Sequence, residues 1–186
     1  MSYTVIRSHE ICAGHRVVGH ESKCRHLHGH NYKFHFKVAP KETVKEVPIE
    51  MGRGLVNVEV KERAKLDSVG RVIDFSVVKT TLCQWLEDNW DHKFLHWDQD
   101  MLINGLQCCI RTDSQTERGW PTFGEGDEDL KAFNDSLVSL PFNPTAENLA
   151  AYMVNVIGPQ LLDEHGVQLV ECTIEETSKC HVNYSL

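Results

Sequence analysis

From residue 26 the even positions read His, His, His, Tyr, Phe, Phe, Val, and the odd positions read Leu, Gly, Asn, Lys, His, Lys. A period of two marks a half-buried β-strand, so residues 26–40 are expected as a strand with the even side inward. Residues 3–15 alternate in the same way, with Val5, Arg7, His9, Ile11, Ala13 and His15 on one side, and suit a hairpin partner. The period then changes. Asp74 is expected to cap a helix whose stripe is Phe75, Val78, Leu82, Trp85 and Leu86, ending near Asn89 to Asp91. Asn143-Pro144-Thr145 opens a second helix along Leu149, Tyr152, Met153, Val156, Ile157 and Leu161. Gly158-Pro159 is expected to bend or interrupt its last turn. Val167 to Thr177 is a third main strand, its inner side reading Val170, Cys172, Ile174 and Glu176, and Cys180 to Tyr184 supplies a fourth.

The order strand, strand, helix, helix, strand, strand predicts an α+β fold: an antiparallel four-stranded sheet with two helices on one face. At 186 residues the chain reads as one domain, 1–186, long enough to bury a core without staples. Two stretches interrupt the plan. Residues 41–65 begin as a charged connection, in which Leu55 to Val60 is a short extra strand or a continuation of the hairpin. Residues 100–136 read as an insertion, with Thr112 to Asp129 mostly loop because of its acidic residues, glycines and proline.

A net charge of −8 argues against nucleic acid as the main partner. A polyanionic substrate would need a local cluster of cations. No apolar run approaches the ~20 residues of a membrane span, and Met-Ser-Tyr-Thr-Val is not a signal-peptide start. Seven cysteines, an odd number without framework spacing, point to a reducing, cytoplasmic compartment.

The chemistry concentrates in His15, His20, Cys24, His26, His28 and His30. His28 and His30 share the inward side of one strand, where two imidazoles are costly to bury unless something binds their nitrogens. A divalent metal suits them, zinc above all for its preference for nitrogen. His15, at the end of the partner strand, is the choice for a third ligand, with His20 and His26 competing. Cys24 reads either as a thiol activated beside the metal or as a fourth ligand of a closed structural site. Glu176 is either a strand end turning into water or an acceptor for a fork of N–H donors, such as the amino-pyrimidinone edge of guanine or pterin. Asp91-His92 is either a salt-bridged helix end or a proton relay.

Cys24-Arg-His-Leu-His28-Gly-His30-Asn-Tyr, Val72-Ile-Asp74-Phe, Trp90-Asp91-His92-Lys-Phe-Leu, Pro144-Thr145-Ala-Glu147-Asn148-Leu and Glu176-Thr177 stand in the order found in the 6-pyruvoyl-tetrahydropterin synthase family, which the chain resembles. The resemblance spans nearly everything outside 41–65 and 100–136. It implies the tunnelling fold (T-fold), an oligomeric barrel and a homohexamer of two stacked trimers with active sites between subunits. It also implies Zn2+ on His15, His28 and His30. Cys24 would be the catalytic base, assisted by Asp91 and His92, and Glu176 the pterin anchor, with Thr145 beside it. Asp74 matches a structural cap of the family pattern. Lys23, Arg25, His26 and Arg16 are nominated for a triphosphate. The implied substrate is 7,8-dihydroneopterin triphosphate, a small-molecule pterin. Only Arg25-His26-Leu27 separates Cys24 from His28, whereas pyruvoyl-forming members carry a longer spacer. The short tether resembles the 6-carboxy-tetrahydropterin synthase branch of queuosine and 7-deazaguanine biosynthesis. Beside it stand the pyruvoyl-forming synthase and a non-catalytic pterin- or zinc-binding module.

Overall fold

The computed structural model describes residues 3–52, 54–63, 66–110 and 128–186. In chain order the strands are β1 (Val5–His15), β2 (His28–Pro40), β3 (Glu42–Met51), β4 (Gly54–Arg63), β5 (Phe94–Trp97), β6 (Leu137–Leu140), β7 (Val167–Thr177) and β8 (Cys180–Ser185). β1 and β2 pair antiparallel without a break from Val5↔Val38 to His15↔His28. β7 pairs with the other edge of β2, and β8 with β7, both antiparallel. These are the four strands expected from the alternation.

The sheet is larger than that expectation, running β6-β5-β1-β2-β7-β8. β5 lies parallel to β1, and β6 parallel to β5, so the four-stranded antiparallel sheet becomes a six-stranded mixed one. Each added strand has four residues, too few for a period of two to declare itself. After β5 the chain is helical on both sides of the stretch expected as loop. These helices are Met101–Ile110 and Glu128–Asp135, the latter beginning within Thr112 to Asp129. The rest of that stretch lies outside the described residues.

The segment 41–65 is not mainly a connection. β3 and β4 pair from Glu42↔Arg63 to Met51↔Gly54 as a separate two-stranded ribbon, and Leu55 to Val60 lies within its second strand.

The even residues of β2, Tyr32, Phe34, Phe36 and Val38, are fully buried and form one core with both long helices. The first helix runs over residues 75–89, through Phe75–Val78, a π turn Lys79–Cys83 and Gln84–Asn89. Asp74 caps it, accepting from the Ser76 N–H at 2.8 Å. Val78, Leu82 and Leu86 are fully buried, while Phe75 at the first turn is exposed. The second helix covers residues 146–162, again with a π turn, Met153–Ile157. The chain stays helical through Gly158-Pro159, contrary to the expected interruption. The π turn has already broken the i→i−4 ladder there, so the missing Pro159 N–H forfeits no regular bond.

One parity changes along β7. Its pairing with β2 steps from Lys37↔Glu171 to Val38↔Leu169, which leaves Val170 unpaired in a bulge. Val167 and Leu169 are therefore buried before the bulge, and Cys172 and Ile174 after it. Val170 leaves the inner face that the sequence pattern assigned to it. The residues after the bulge keep their expected side, Glu176 included.

Gly158 is where the second helix touches β7. An added Cβ would sit 2.8 Å from the Leu169 Cβ and 3.1 Å from the Met153 carbonyl oxygen. Alanine favours helix by up to ~1 kcal/mol, but overpacking a core costs ~1–3 kcal/mol. Gly158→Ala is expected to destabilise the protein by about 1–2 kcal/mol in denaturant titration, and a stabilised variant would mean that the helix–strand contact is looser than described.

Candidate metal centre and active-site cavity

The β1–β2 register places His15 directly opposite His28, and Ala13 opposite His30. His30 is thus diagonal to His15, with all three rings on the inner side. Their ligand nitrogens lie within 4.8 Å of one another, a group that can hold a metal ion. Backbone carbonyls orient two of the rings. His15 Nδ1 donates to the Pro144 carbonyl at 2.7 Å, and His28 Nδ1 to the His26 carbonyl at 2.8 Å. With Nδ1 protonated, Nε2 is the lone-pair nitrogen, as in metal-bound histidines held by an outer partner. The Nε2 of His15 is buried without a hydrogen-bond partner. An orphaned acceptor inside a three-imidazole group fits a metal cation.

The electrostatics favour neutral ligands. Burial, reinforced by His28 and His30, pushes the His15 pKa down to about 4 despite the opposing Pro144 carbonyl. Burial also lowers that of His30, with His28 adding to it and Glu176 opposing. Neither competitor joins the group among the described residues. His20 accepts the Ser22 N–H at 2.9 Å, and His26 contributes only its backbone carbonyl. Cys24 lies outside the group as well, so the structure contains a three-histidine set rather than a closed Cys-His₃ one.

Cys24, His15, Thr145 and Glu176 line a single cavity of about 580 Å³. Cys24 belongs to a 3-10 turn, Lys23–Arg25, in the loop that joins β1 to β2. Glu176 sits in the β7–β8 irregularity between Glu175 and Thr177 and turns into the cavity instead of away from it. Thr145 caps the second helix, accepting from the Asn148 N–H. The site depends on this helix start, because Pro144 holds His15. Asn143 in turn fastens the start to the strand's end, accepting from the Val18 N–H at 2.9 Å and donating to its carbonyl at 2.8 Å. The sequence marked Asn143 only as part of a helix start. Lys179 also lines the cavity, from a turn without periodicity to reveal it.

Asp91 and His92 are joined to each other but not to that cavity. His92 Nδ1 and Asp91 Oδ2 lie 2.8 Å apart, and the Cys12 N–H donates to Asp91 Oδ1 at 2.8 Å. Burial opposes the charge on Asp91, but the Cys12 N–H and His92 outweigh it and hold the carboxyl below its ordinary pKa. His92 has φ 55°, a left-handed backbone that is uncommon outside glycine. It lines a second cavity, about 520 Å³ in volume, with Cys12, Asn31, Phe94 and Ser136 and with two of the clustered histidines, His28 and His30. Of the three clustered histidines only His15 lines the first cavity, while His28 and His30 border this second one.

Three of the four nominated cations meet in a third cavity of about 530 Å³. Arg16, Arg25 and His26 line it, with His20 shared between it and the first cavity. Lys23 lines neither of these cavities.

The sequence profile of the family described as 6-pyruvoyl tetrahydropterin synthase matches residues 4–50 and 54–186. A protein of Rickettsia bellii named 6-carboxy-5,6,7,8-tetrahydropterin synthase is 27% identical over 173 residues, 93% of each chain. A Halobacterium salinarum protein named a probable 6-carboxy-5,6,7,8-tetrahydropterin synthase is 26% identical, over 90% of this chain and 76% of its own. Among solved structures, an uncharacterised protein of Wolinella succinogenes has the same fold, with TM-score 0.71 and 20% identity over 100% of this chain and 98% of that one. The 6-pyruvoyl tetrahydropterin synthase of Caenorhabditis elegans superposes with TM-score 0.54 and 19% identity, covering 100% and 96%. The likeness to these structures makes the fold a T-fold.

Acid should weaken the metal-free protein through His15. Its pKa is about 4 folded against an ordinary 6.5, so the unfolded chain binds more protons between those values. The stability is present above pH 6.5 and is lost as pH falls towards 4, to the extent of about 3 kcal/mol. Denaturant midpoints measured from pH 7.5 to 4 should fall more steeply for the wild type than for His15→Asn. Equal slopes would remove His15 from the account.

Proposed function

The chain belongs to the 6-pyruvoyl tetrahydropterin synthase family, and from that premise we propose that it is a zinc-dependent 6-carboxy-5,6,7,8-tetrahydropterin synthase. The reaction is the conversion of 7,8-dihydroneopterin triphosphate and one water into 6-carboxy-tetrahydropterin, acetaldehyde and triphosphate, in 7-deazaguanine and queuosine biosynthesis. The observation that carries this reading is a three-imidazole group whose buried member, His15, lines one cavity with a free thiol, Cys24, and a carboxylate, Glu176. The names of the relatives favour the carboxy branch over the pyruvoyl-forming one.

His15, His28 and His30 would hold the zinc, which supplies Lewis acidity to the oxygens of the substrate side chain. Glu176 accepts from the N–H fork of the pterin ring and, with Thr145, sets how the side chain enters the cavity. Cys24, as thiolate, takes the proton from the side-chain carbon. The Asp91–His92 pair moves the second proton, with Asp91 fixing the imidazole. Since neither Asp91 nor His92 lines the Cys24 cavity of its own chain, a second copy of the chain delivers the pair to it. The exposure of the His92 side chain, 79%, supports this reading, and a homohexamer of two trimers satisfies it. The triphosphate extends past His20 into the third cavity, towards Arg16, Arg25 and His26. A cytoplasmic, reducing setting keeps Cys24 as a thiol. None of the described helices is long and apolar enough to cross a membrane.

The deciding experiment is product analysis from 7,8-dihydroneopterin triphosphate. Acetaldehyde with the 6-carboxy pterin supports the proposal. Triphosphate release with a retained three-carbon side chain moves the protein to the pyruvoyl-forming reaction, and binding without turnover makes it a pterin- or zinc-binding module.

Two variants separate the roles. Cys24→Ala should keep about one zinc per chain while turnover falls by roughly 10²–10⁴-fold, whereas His28→Ala should lose both metal and turnover. Loss of zinc from Cys24→Ala would make the thiol a ligand. Glu176→Gln sets an amide donor against a substrate donor and should weaken pterin binding by ~2–4 kcal/mol, measured by calorimetry. Unchanged affinity would take Glu176 out of the pterin site.

A further inference from the structure

The third cavity contains an arrangement that the reaction scheme leaves unexplained. Arg16 follows His15 directly, so its backbone is set by the strand that carries a metal ligand. Its Nε lies 3.0 Å from Asp100 Oδ2, with side-chain exposures of only 17% and 2%. The atoms are close but not aligned as a hydrogen bond, and both lack a hydrogen-bond partner. The other oxygen of Asp100 is engaged, accepting from the Leu102 N–H at 3.0 Å and the Ile103 N–H at 3.4 Å at the start of helix Met101–Ile110. Asp100 is thus anchored to a ten-residue helix and presents its second oxygen to the arginine. Leu102 of this helix lines the same cavity as Arg16 and Arg25.

We infer that Asp100 is a positioning residue for polyphosphate recognition, holding the Arg16 guanidinium so that its fork faces an anion in the third cavity. The inference rests on the proposed polyphosphate substrate. A pair made through Nε leaves the terminal nitrogens of the guanidinium to chelate an oxyanion, the geometry in which arginine surpasses lysine. An arginine this buried, without its carboxylate, would turn outward to recover water. The segment 100–136 thereby contributes to substrate binding through one buried side chain.

Charge and positioning predict opposite results. Asp100→Asn removes a negative charge beside the cavity, so attraction alone would tighten anion binding. Asparagine remains a good helix cap, which preserves the fold. If Asp100 positions Arg16, binding of inorganic triphosphate to purified full-length Asp100→Asn, read by calorimetry, should weaken about tenfold or more, the worth of one charged hydrogen bond. The KM for 7,8-dihydroneopterin triphosphate should rise with it, and binding of phosphate-free dihydroneopterin should stay unchanged. Equal or tighter triphosphate binding overturns the inference, as does an equal loss for the phosphate-free pterin. Should Asp100→Asn fail to fold, Arg16→Lys keeps the charge and removes the fork. Weakened triphosphate binding then supports the inference and unchanged binding overturns it. Failure of the parent reading shows differently, as wild-type protein that takes up neither triphosphate nor phosphate-free pterin, and it would overturn both.

Discussion

The pairing register of β1 with β2 governs this molecule. It sets His15 opposite His28 and, by the same alternation, sends Ile11, Ala13, Tyr32, Phe34 and Phe36 into the core. A slip of one residue would turn the imidazoles to the outer side of the sheet and expose the aromatic row with them. The apolar residues therefore hold the three imidazoles in place, because the two sets share one period and one face. Gly29, between His28 and His30 of β2, permits the close approach. A Cβ there would meet the Ala13 carbonyl oxygen at 2.9 Å.

The second constraint is the junction between that hairpin and the second helix. Pro144 gives His15 its hydrogen-bond acceptor, Thr145 caps the helix at the cavity wall, and Asn143 ties the junction to Val18. Three adjacent residues thus join a strand end, a helix start and a ligand ring. Desolvation of His15 follows from this closure and keeps its imidazole neutral, the state in which it binds a metal. The rigidity of the site comes from β-strands and a helix terminus, and its openness from the loop that carries Cys24.

Strands β1, β2, β7 and β8 and the two long helices were legible because each repeats its period, whereas β3, with ten residues, lies in a charged stretch that reads as a connection. The three histidines were legible for the same reason, sitting on the buried side of strands where nothing else explained them. Where one residue breaks the period, the reading failed. The bulge at Val170 moved that side chain off the inner face, and the π turn let the second helix pass Gly158-Pro159. β5 and β6 escaped notice because four residues show no repeat, and their parallel partners are distant in the chain.

By itself the sequence determined which residues of β2 lie inward, where the helices begin, and that His15, His28 and His30 share a face, since these follow from local periodicity and capping chemistry. Tertiary structure alone decided that Cys24 and Glu176 share a cavity with His15 while His92 lines another, beside His28 and His30. It also decided that Arg16, Arg25 and His26 converge, and that Asp100 reaches Arg16. These are contacts between segments far apart along the chain. No local period encodes them, because they depend on how the strands are ordered in the sheet and on which loops meet at its end.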